Sequence, residues 1–485
     1  MNTADYLLET GADRRPVIVT DKGQHTYHEL REASGRVCAE LAAHGVGPGD
    51  RVGLLAQNSL FWVAAYLAAM KLSAVAVPFG PSLLPSELPN LHSLVRCKVL
   101  CIEQRQQARY TFPAELPLVF ESVLAQSGTH LWPATSVTAQ SVAQDAALMF
   151  TSGTTAQPKA VRITHRNIQA NTESIIEYLG LTETERIMVI LPFSYCFGTS
   201  LLHTHLRVGG TLVLSNTFAY PETTLNLLEA AQCTGFAGVP STYQTLLRNS
   251  TFTKRACLAL HKLQQAGGKL SEVLIKELVA AAPQAEAFVM YGQTEATARL
   301  SYLPPARLGD KLGSIGRGIH GVTLRVLNDE GVAVTPGETG EIWANGENIS
   351  PGYLDDPQAT AERFPGGDLR TGDVATVDSD GFIFITDRKS HFIKSFGYRI
   401  SSQQLESHVL ELPEVISATA VGEPDEVCGE AIKVFVTLRA GSALTPQAII
   451  QHCGQNLARH MIPKEVVIVD SLPLNGHGKI VKSKL

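Results

Sequence analysis

The chain has little that would tie it to nucleic acid, to a membrane or to an oxidising compartment. Its 485 residues carry a formal net charge of -6 and no lysine- or arginine-rich block, which argues against a general nucleic-acid binder and for a small-molecule partner. No stretch approaches the roughly 20 consecutive apolar residues needed to span a bilayer. The opening MNTADYLLETGADRR has acids and no apolar segment of signal-peptide length, so neither export nor membrane insertion is expected. Eight cysteines are scattered without a framework. Cys97 and Cys101 have neither a second pair nor a histidine at zinc spacing, so reduced cytoplasmic thiols are expected. His203 and His205, in LLHTHLRVGG, cannot close a metal site as two ligands and read as structural. No internal repeat or low-complexity tract stands out.

What is present is an ordinary globular composition, 44% hydrophobic and 18% charged, over a length too great for one core, so two or more folding units are expected. RVGLLAQ, AVAVPF, KVLCI, RIMVILPF and GTLVLS read as strands buried on both faces. SLFWVAAYLAAMKL and ETTLNLLEAAQ between them read as helices. The alternation predicts an α/β fold with parallel sheets covered by helices. From about Gly313 the texture changes to short strands with glycine turns, NDEG among them, which predicts a β-rich subdomain. The last segment, through SSQQLESHVLELPEVISATAVG and EAIKVFVTLRAG, orders helix, strand, strand, helix, as in a small α+β unit.

The chemistry concentrates in LMFTSGTTAQPKAVRITHRN, Leu148 to Asn167. A strand ending at Phe150 releases Thr151, Ser152, Gly153, Thr154 and Thr155, hydroxyls and consecutive amides that suit an anion, with Lys159 adding charge. It differs from the P-loop of motor ATPases and GTPases, whose glycine, lysine, then serine or threonine would be needed where Pro158, Lys159 and Ala160 stand. Taken alone, this segment leaves a polar surface loop as the lesser alternative, and other segments must decide.

TSGTTAQPKAV resembles the phosphate-loop signature of the AMP-forming adenylating enzymes: acyl-CoA synthetases, peptide-synthetase adenylation domains and luciferases. Further signatures of that superfamily follow in order: AGGKLS from Ala266, YGQTE from Tyr291, GSIGRG from Gly313, GEIWANGENISPGYLDD from Gly340, LRTGD from Leu369, DRKSHFIKSFGYRIS from Asp387 and LPLNGHGK ending at Lys479. Each is weak alone; together they cover nearly the whole chain.

The resemblance implies a large N-terminal domain, 1–389, whose β-rich subdomain spans about 313–389, and a small mobile C-terminal domain, 390–485, pivoting at Ser390. It implies that a carboxylate is joined to the α-phosphate of ATP with loss of pyrophosphate, and that the acyl group then passes to a pantetheine thiol. That chemistry gathers anions and needs cations and oriented donors. By the family's pattern Thr151, Ser152, Gly153, Thr154, Thr155 and Lys159 hold the β- and γ-phosphates, Thr294 meets the α-phosphate and Glu295 carries Mg2+. Gly267 and Gly268 admit adenine, Tyr291 packs on it, and Asp373 with Arg388 binds the ribose. Lys479 bridges α-phosphate and carboxylate as a point charge. In the second half-reaction Lys394 and Gly397 flank the route of the thiol arm.

Two departures from the pattern carry consequences. Alanines stand at 156 and 160 where glycine is usual, and would cost ATP affinity if either position needs a left-handed backbone. Cys196 stands where amino-acid-activating relatives place an aspartate, so an acyl or aryl carboxylate without a free α-amine is expected. Tyr195, Phe197, Gly198, Thr199, Val239 and Gly268 are the candidate pocket wall. The acceptor is left open between CoA and a separate carrier protein, because only six residues follow Lys479. A stand-alone amino-acid adenylating enzyme and a nucleotide binder without catalysis are the alternatives. The final SKL matches a peroxisomal address, and a cytoplasmic location is favoured over it.

Overall fold

The doubly buried runs are strands, as expected: Arg51–Leu55, Val75–Pro78, Val99–Ile102, Arg186–Val189 and Thr211–Leu214, each almost wholly inaccessible. The computed structural model describes residues 2–126, 132, 142–151, 158–388, 392–425 and 428–485. Leu60–Lys71 starts where the Ser59 hydroxyl accepts the Trp62 N–H, and every residue from Phe61 to Lys71 is buried. A helix apolar all round survives only inside a protein; this one packs on Tyr27–Ala43, which opens with a reciprocal Thr26–Glu29 capping box.

Four sheets result. A six-stranded sheet runs Leu118–Phe120, Val99–Ile102, Arg51–Leu55, Val75–Pro78, Asp145–Phe150, Ala160–Thr164. A nine-stranded sheet has a parallel centre ordered Glu286–Tyr291, Lys262–Gln265, Gly235–Gly238, Arg186–Val189, Thr211–Leu214, Pro16–Thr20. Neither sheet is wholly parallel, which corrects the sequence reading. Asp145–Phe150 and Ala160–Thr164 pair antiparallel, because segment 151–159 is shorter than the dozen or so residues a parallel crossover needs. Antiparallel strands also close both ends of the larger sheet.

Val322–Leu327, Thr339–Gly346, Leu369–Val377 and Ile383–Arg388 form an antiparallel four-stranded sheet, the β-rich part expected after Gly313. The last sheet, five-stranded, is built from Phe392–Ser395, Tyr398–Ser401, Val415–Asp425, Gly429–Leu438 and Glu465–Ile468, with helices Ser402–Val409 and Pro446–Asn456. The change of sheet falls between Arg388 and Phe392; Ser390 lies outside the described residues. All eight cysteines are free thiols, and burial pushes Cys97 up to about 12. His203 sits beside the Tyr66 hydroxyl, 2.9 Å away in the core, the structural role expected of it. Among the described residues no helix is long and apolar enough to cross a membrane.

Candidate active site

Open parallel sheets present their loops at the carboxyl ends of the strands. In the nine-stranded sheet four neighbouring strands end at Tyr291, Gln265, Gly238 and Val189. The segments that follow hold Thr294 and Glu295, Gly267 and Gly268, Val239, and Tyr195. Strands lie about 4.8 Å apart, so four such loops line an edge on the order of 15 Å long. The six-stranded sheet brings Phe150 and Thr151 to the same place, and a cleft of about 470 Å³ opens between them.

Thr151, Lys159, Thr294, Glu295, Tyr195 and Lys479 all line that cleft. Ser152, Gly153, Thr154, Thr155 and Ala156 lie outside the described residues. Ala160 pairs with Phe150 as an extended strand residue and is absent from the left-handed positions, so alanine costs nothing there. Lys159 faces Asp356 at 3.8 Å and lies 4.9 Å from the Tyr353 ring centre. Glu295 is buried, with one carboxylate oxygen accepting from the Tyr353 hydroxyl at 2.9 Å. That leaves a carboxylate of fixed orientation on the wall, the kind of hard oxygen donor a magnesium ion takes.

A smaller cavity of about 90 Å³ adjoins, lined among others by Gly267, Gly268, Tyr291, Asp373 and Lys479. The Tyr291 hydroxyl donates to Asp373 at 2.6 Å, and the buried Asp373 pairs across strands with Arg388. Gly267 has φ of +87°, and a Cβ there would lie 2.7 Å from the Tyr195 hydroxyl oxygen, so glycine is required on both counts. Buried polar atoms without partners ring both cavities: Gln293 Nε2, Arg363 Nε, Arg370 Nε and Gln265 Oε1. Such atoms are costly unless a polar ligand meets them, and Lys159, Arg363, Arg370 and Lys479 are the cations the large cleft offers a polyphosphate, beside the carboxylates of Glu295, Glu341 and Glu362.

Lys479 arrives on a tight reversal of the small domain. Leu474 bridges Ile480, and the Asn475 side-chain oxygen accepts from the backbone of His477 and Lys479 at 2.9 and 3.0 Å. The turn is anchored to the large domain where the Ser241 hydroxyl donates to the Gly478 carbonyl at 2.6 Å. His477 stacks on Tyr195, ring centres 4.6 Å apart, and burial with the charge of Lys479 brings its pKa down to about 4. His477 also lines a second cavity of about 480 Å³ with Leu191, Pro192, Phe218 and Val239.

Cys196 also lines the large cleft; it is buried, receives the Thr294 hydroxyl at 3.5 Å, and burial pushes its thiol upward. The other candidates lie elsewhere. The Phe197 ring packs under the Arg299 guanidinium at 4.7 Å, and a Cβ on Gly198 would lie 2.2 Å from the Pro192 carbonyl oxygen. Thr199 donates to the Phe193 carbonyl at 2.6 Å and lines a small internal cavity with Cys196 and His203. Lys394 is exposed on the hairpin whose turn holds Gly397 at φ +79°, and its N–H donates to Glu430 at 2.6 Å. Sequence reasoning passed over Asn475, His477 and Thr297. Thr297 centres a γ-turn, φ +65° and ψ -57°, two residues after Glu295; its only mark in the sequence is its place behind YGQTE.

The family model described as AMP-binding enzyme matches residues 8–354, and the one described as AMP-binding enzyme C-terminal domain matches 404–479. A feruloyl-CoA synthase from Amycolatopsis sp is 31% identical over 95% of this chain and 93% of its own. An oxalate–CoA ligase from Arabidopsis thaliana is 29% identical over 99% and 97%. Among solved structures, o-succinylbenzoate CoA synthetase (MenE) from Bacillus subtilis with its acyl-adenylate superposes with a TM-score of 0.87 at 26% identity, covering 100% of this chain and 97% of that one. ATP-bound MatB from Rhodopseudomonas palustris reaches 0.89 at 24% identity and the same coverage, against 0.79 for the apo form.

Proposed function

The chain belongs to the AMP-binding enzyme family, and from that premise we propose that it is an AMP-forming acid–thiol ligase whose substrate is an acyl or aryl carboxylic acid and whose acceptor is CoA. The observation that carries the reading is the meeting of Lys479, from the small domain, with Thr151, Lys159, Thr294 and Glu295, from the large one, in a single cleft. A carboxylate oxygen attacks the α-phosphorus, the bond to the β-phosphate breaks, and pyrophosphate leaves with the electron pair. Each participant is an anion, so the barrier is largely electrostatic, and cations fixed beforehand lower it. Lys159 holds the outer phosphates, Thr294 the α-phosphate, and Lys479 the junction of carboxylate and phosphorus. Ser152, Gly153, Thr154 and Thr155 complete the phosphate loop. Glu295 is the side chain that would hold Mg2+, which supplies charge neutralisation on the phosphate oxygens.

Gly267 and Gly268 admit the adenine, and Asp373, set by the Tyr291 hydroxyl and assisted by Arg388, takes the ribose hydroxyls. An acid without a free α-amine is supported by Cys196: a buried thiol cannot pair an ammonium, which would be left uncompensated. Tyr195 and Val239 border the acyl group. Transfer to the thiol follows rotation of the small domain about Ser390, which presents Lys394 and Gly397. The names of the similar proteins support CoA over a carrier protein. Free thiols throughout support a reducing, cytoplasmic setting.

Pyrophosphate exchange across aryl, short-chain and long-chain acids, with parallel assays for thioester formation on CoA and on a phosphopantetheinyl carrier protein, tests the proposal. Exchange with at least one amine-free acid and thioester on CoA is expected. Lys479→Ala should lower the exchange rate by about 10²–10³. An undiminished rate would remove the mechanism, exchange led by an α-amino acid would remove the substrate class, and thioester on the carrier alone would remove CoA.

A further inference from the structure

Among the described residues, the small domain holds a cluster of metal-ligating side chains that the reaction does not use. His408 is in the last turn of Ser402–Val409, Glu411 follows that helix, and His452 lies on Pro446–Asn456. The two imidazoles stack, ring centres 4.3 Å apart and planes 10° apart. His408 Nδ1 is 3.0 Å and His452 Nε2 3.5 Å from the same Glu411 oxygen. One donor atom from each of the three lies within 4.8 Å of the others.

His408 Nε2 faces the His452 carbonyl oxygen at 3.4 Å. A carbonyl only accepts, so that nitrogen carries a hydrogen, and in the neutral ring Nδ1 is then a bare lone pair. The lone pair points at a carboxylate oxygen 3.0 Å away. Two electron-rich atoms do not hold that distance without a positive charge to share. His452 Nε2 reaches the same oxygen and also the His408 carbonyl at 3.1 Å, so each helix ties to the other through both rings. A histidine that gives one N–H to a backbone carbonyl and turns its other nitrogen inward has the orientation found around bound metals.

We propose that His408 Nδ1, the Glu411 carboxylate and His452 Nε2 form a site for one divalent transition-metal ion of borderline softness, zinc being the type, with water as fourth ligand. Two imidazoles and a carboxylate suit zinc, cobalt or nickel and disfavour magnesium or calcium, which take oxygen sets. On binding, His452 exchanges its carbonyl bond for the ion, and His408 keeps its own. Glu411 is exposed and His452 half-buried, so the ion enters from solvent. The site touches none of the cleft residues; its effect is to cross-link the two helices of the small domain.

Untagged full-length protein, stripped with chelator and dialysed, would be titrated with Zn2+ by calorimetry, with Mg2+ as control. The expected result is one Zn2+ per chain at micromolar or tighter Kd, a rise in Tm with Zn2+ only, and visible d–d absorption when Co2+ replaces it. His452→Ala and Glu411→Gln should each weaken uptake at least tenfold and abolish the Tm rise, while acid-dependent AMP release in Mg2+ stays within twofold. Zn2+ uptake by both variants equal to that of the parent overturns the site. So does absence of stoichiometric uptake by the parent, in which case a proton fills the gap.

Discussion

Arg248 offers a way to separate the two half-reactions without touching either substrate. It ends helix Pro240–Arg248 of the large domain, and its side chain is 0% exposed. One edge of the guanidinium meets Glu277 of the same domain at 2.7 and 3.3 Å. The other crosses to the small domain, donating to the carbonyls of Leu410 at 2.9 Å, Leu412 at 3.3 Å and Val415. Arg248→Met keeps the aliphatic bulk and leaves those carbonyls without their donor. An orphaned buried acceptor costs about 1–3 kcal/mol and a broken buried pair about 3–5 kcal/mol. Glu277 relaxes toward solvent, so we take about 3 kcal/mol against the docked arrangement. At about 1.4 kcal/mol per decade that is roughly a hundredfold shift in domain population. Because Lys479 enters the cleft only from the docked domain, the pyrophosphate burst in a single-turnover quench should slow by up to that factor. Thioester formation from supplied acyl-adenylate and CoA should hold or quicken. A burst equal to that of the parent would refute the argument, and so would equal slowing of both steps.

Four further outcomes follow from the geometry. Gly267→Ala places a Cβ 2.7 Å from the Tyr195 hydroxyl at a left-handed φ and should raise KM for ATP at least tenfold in steady-state kinetics. Asp373→Asn turns a two-oxygen acceptor into a mixed amide facing Tyr291 and should raise KM for ATP by about ten- to a hundredfold, with a smaller effect on kcat. Ser59→Ala removes the cap of the central buried helix and should lower chemical-denaturation stability by about 1 kcal/mol with unchanged KM. Burial holds His203 neutral with its pKa down to about 3, and His205 and His477 down to about 4. The unfolded chain takes protons first, near pH 6.5, so stability falls as pH drops from about 6.5 toward 4 and is level above. Tm measured from pH 7.5 to 4.5 should show that decline, shallower in His203→Asn; a flat profile would contradict it.

The parallel strands were legible because burial on both faces leaves a continuous apolar run, as in Val99–Ile102, and the central helix because nothing polar interrupts Phe61 to Met70. The reversed pairing of Ala160–Thr164 was missed: a short run buried at all but Arg162 looks like any strand, and direction is decided by the length of the connection. Within the site, side chains carrying charge could be read from motifs, and the cleft gathers Lys159, Glu295 and Lys479 from three distant segments. The groups that hold them in place could not. Tyr353 on Glu295, Asn475 under Lys479 and His477 on Tyr195 act through distances that only folding creates. Phe197 and Gly198 show the converse, adjacent to Tyr195 in sequence but turned by the helix toward Arg299 and Pro192.

The first strand of the chain, Pro16–Thr20, finds its neighbour in Thr211–Leu214. A ribosome must therefore deliver some two hundred residues before that edge is covered, and the sheet grows from strands made long after it. Until then the leading hairpin is an open, β-rich edge in the exit vestibule. A chain that stops before residue 211 leaves that face of Pro16–Thr20 without its parallel neighbour, an unpaired row of backbone groups of the kind that templates association.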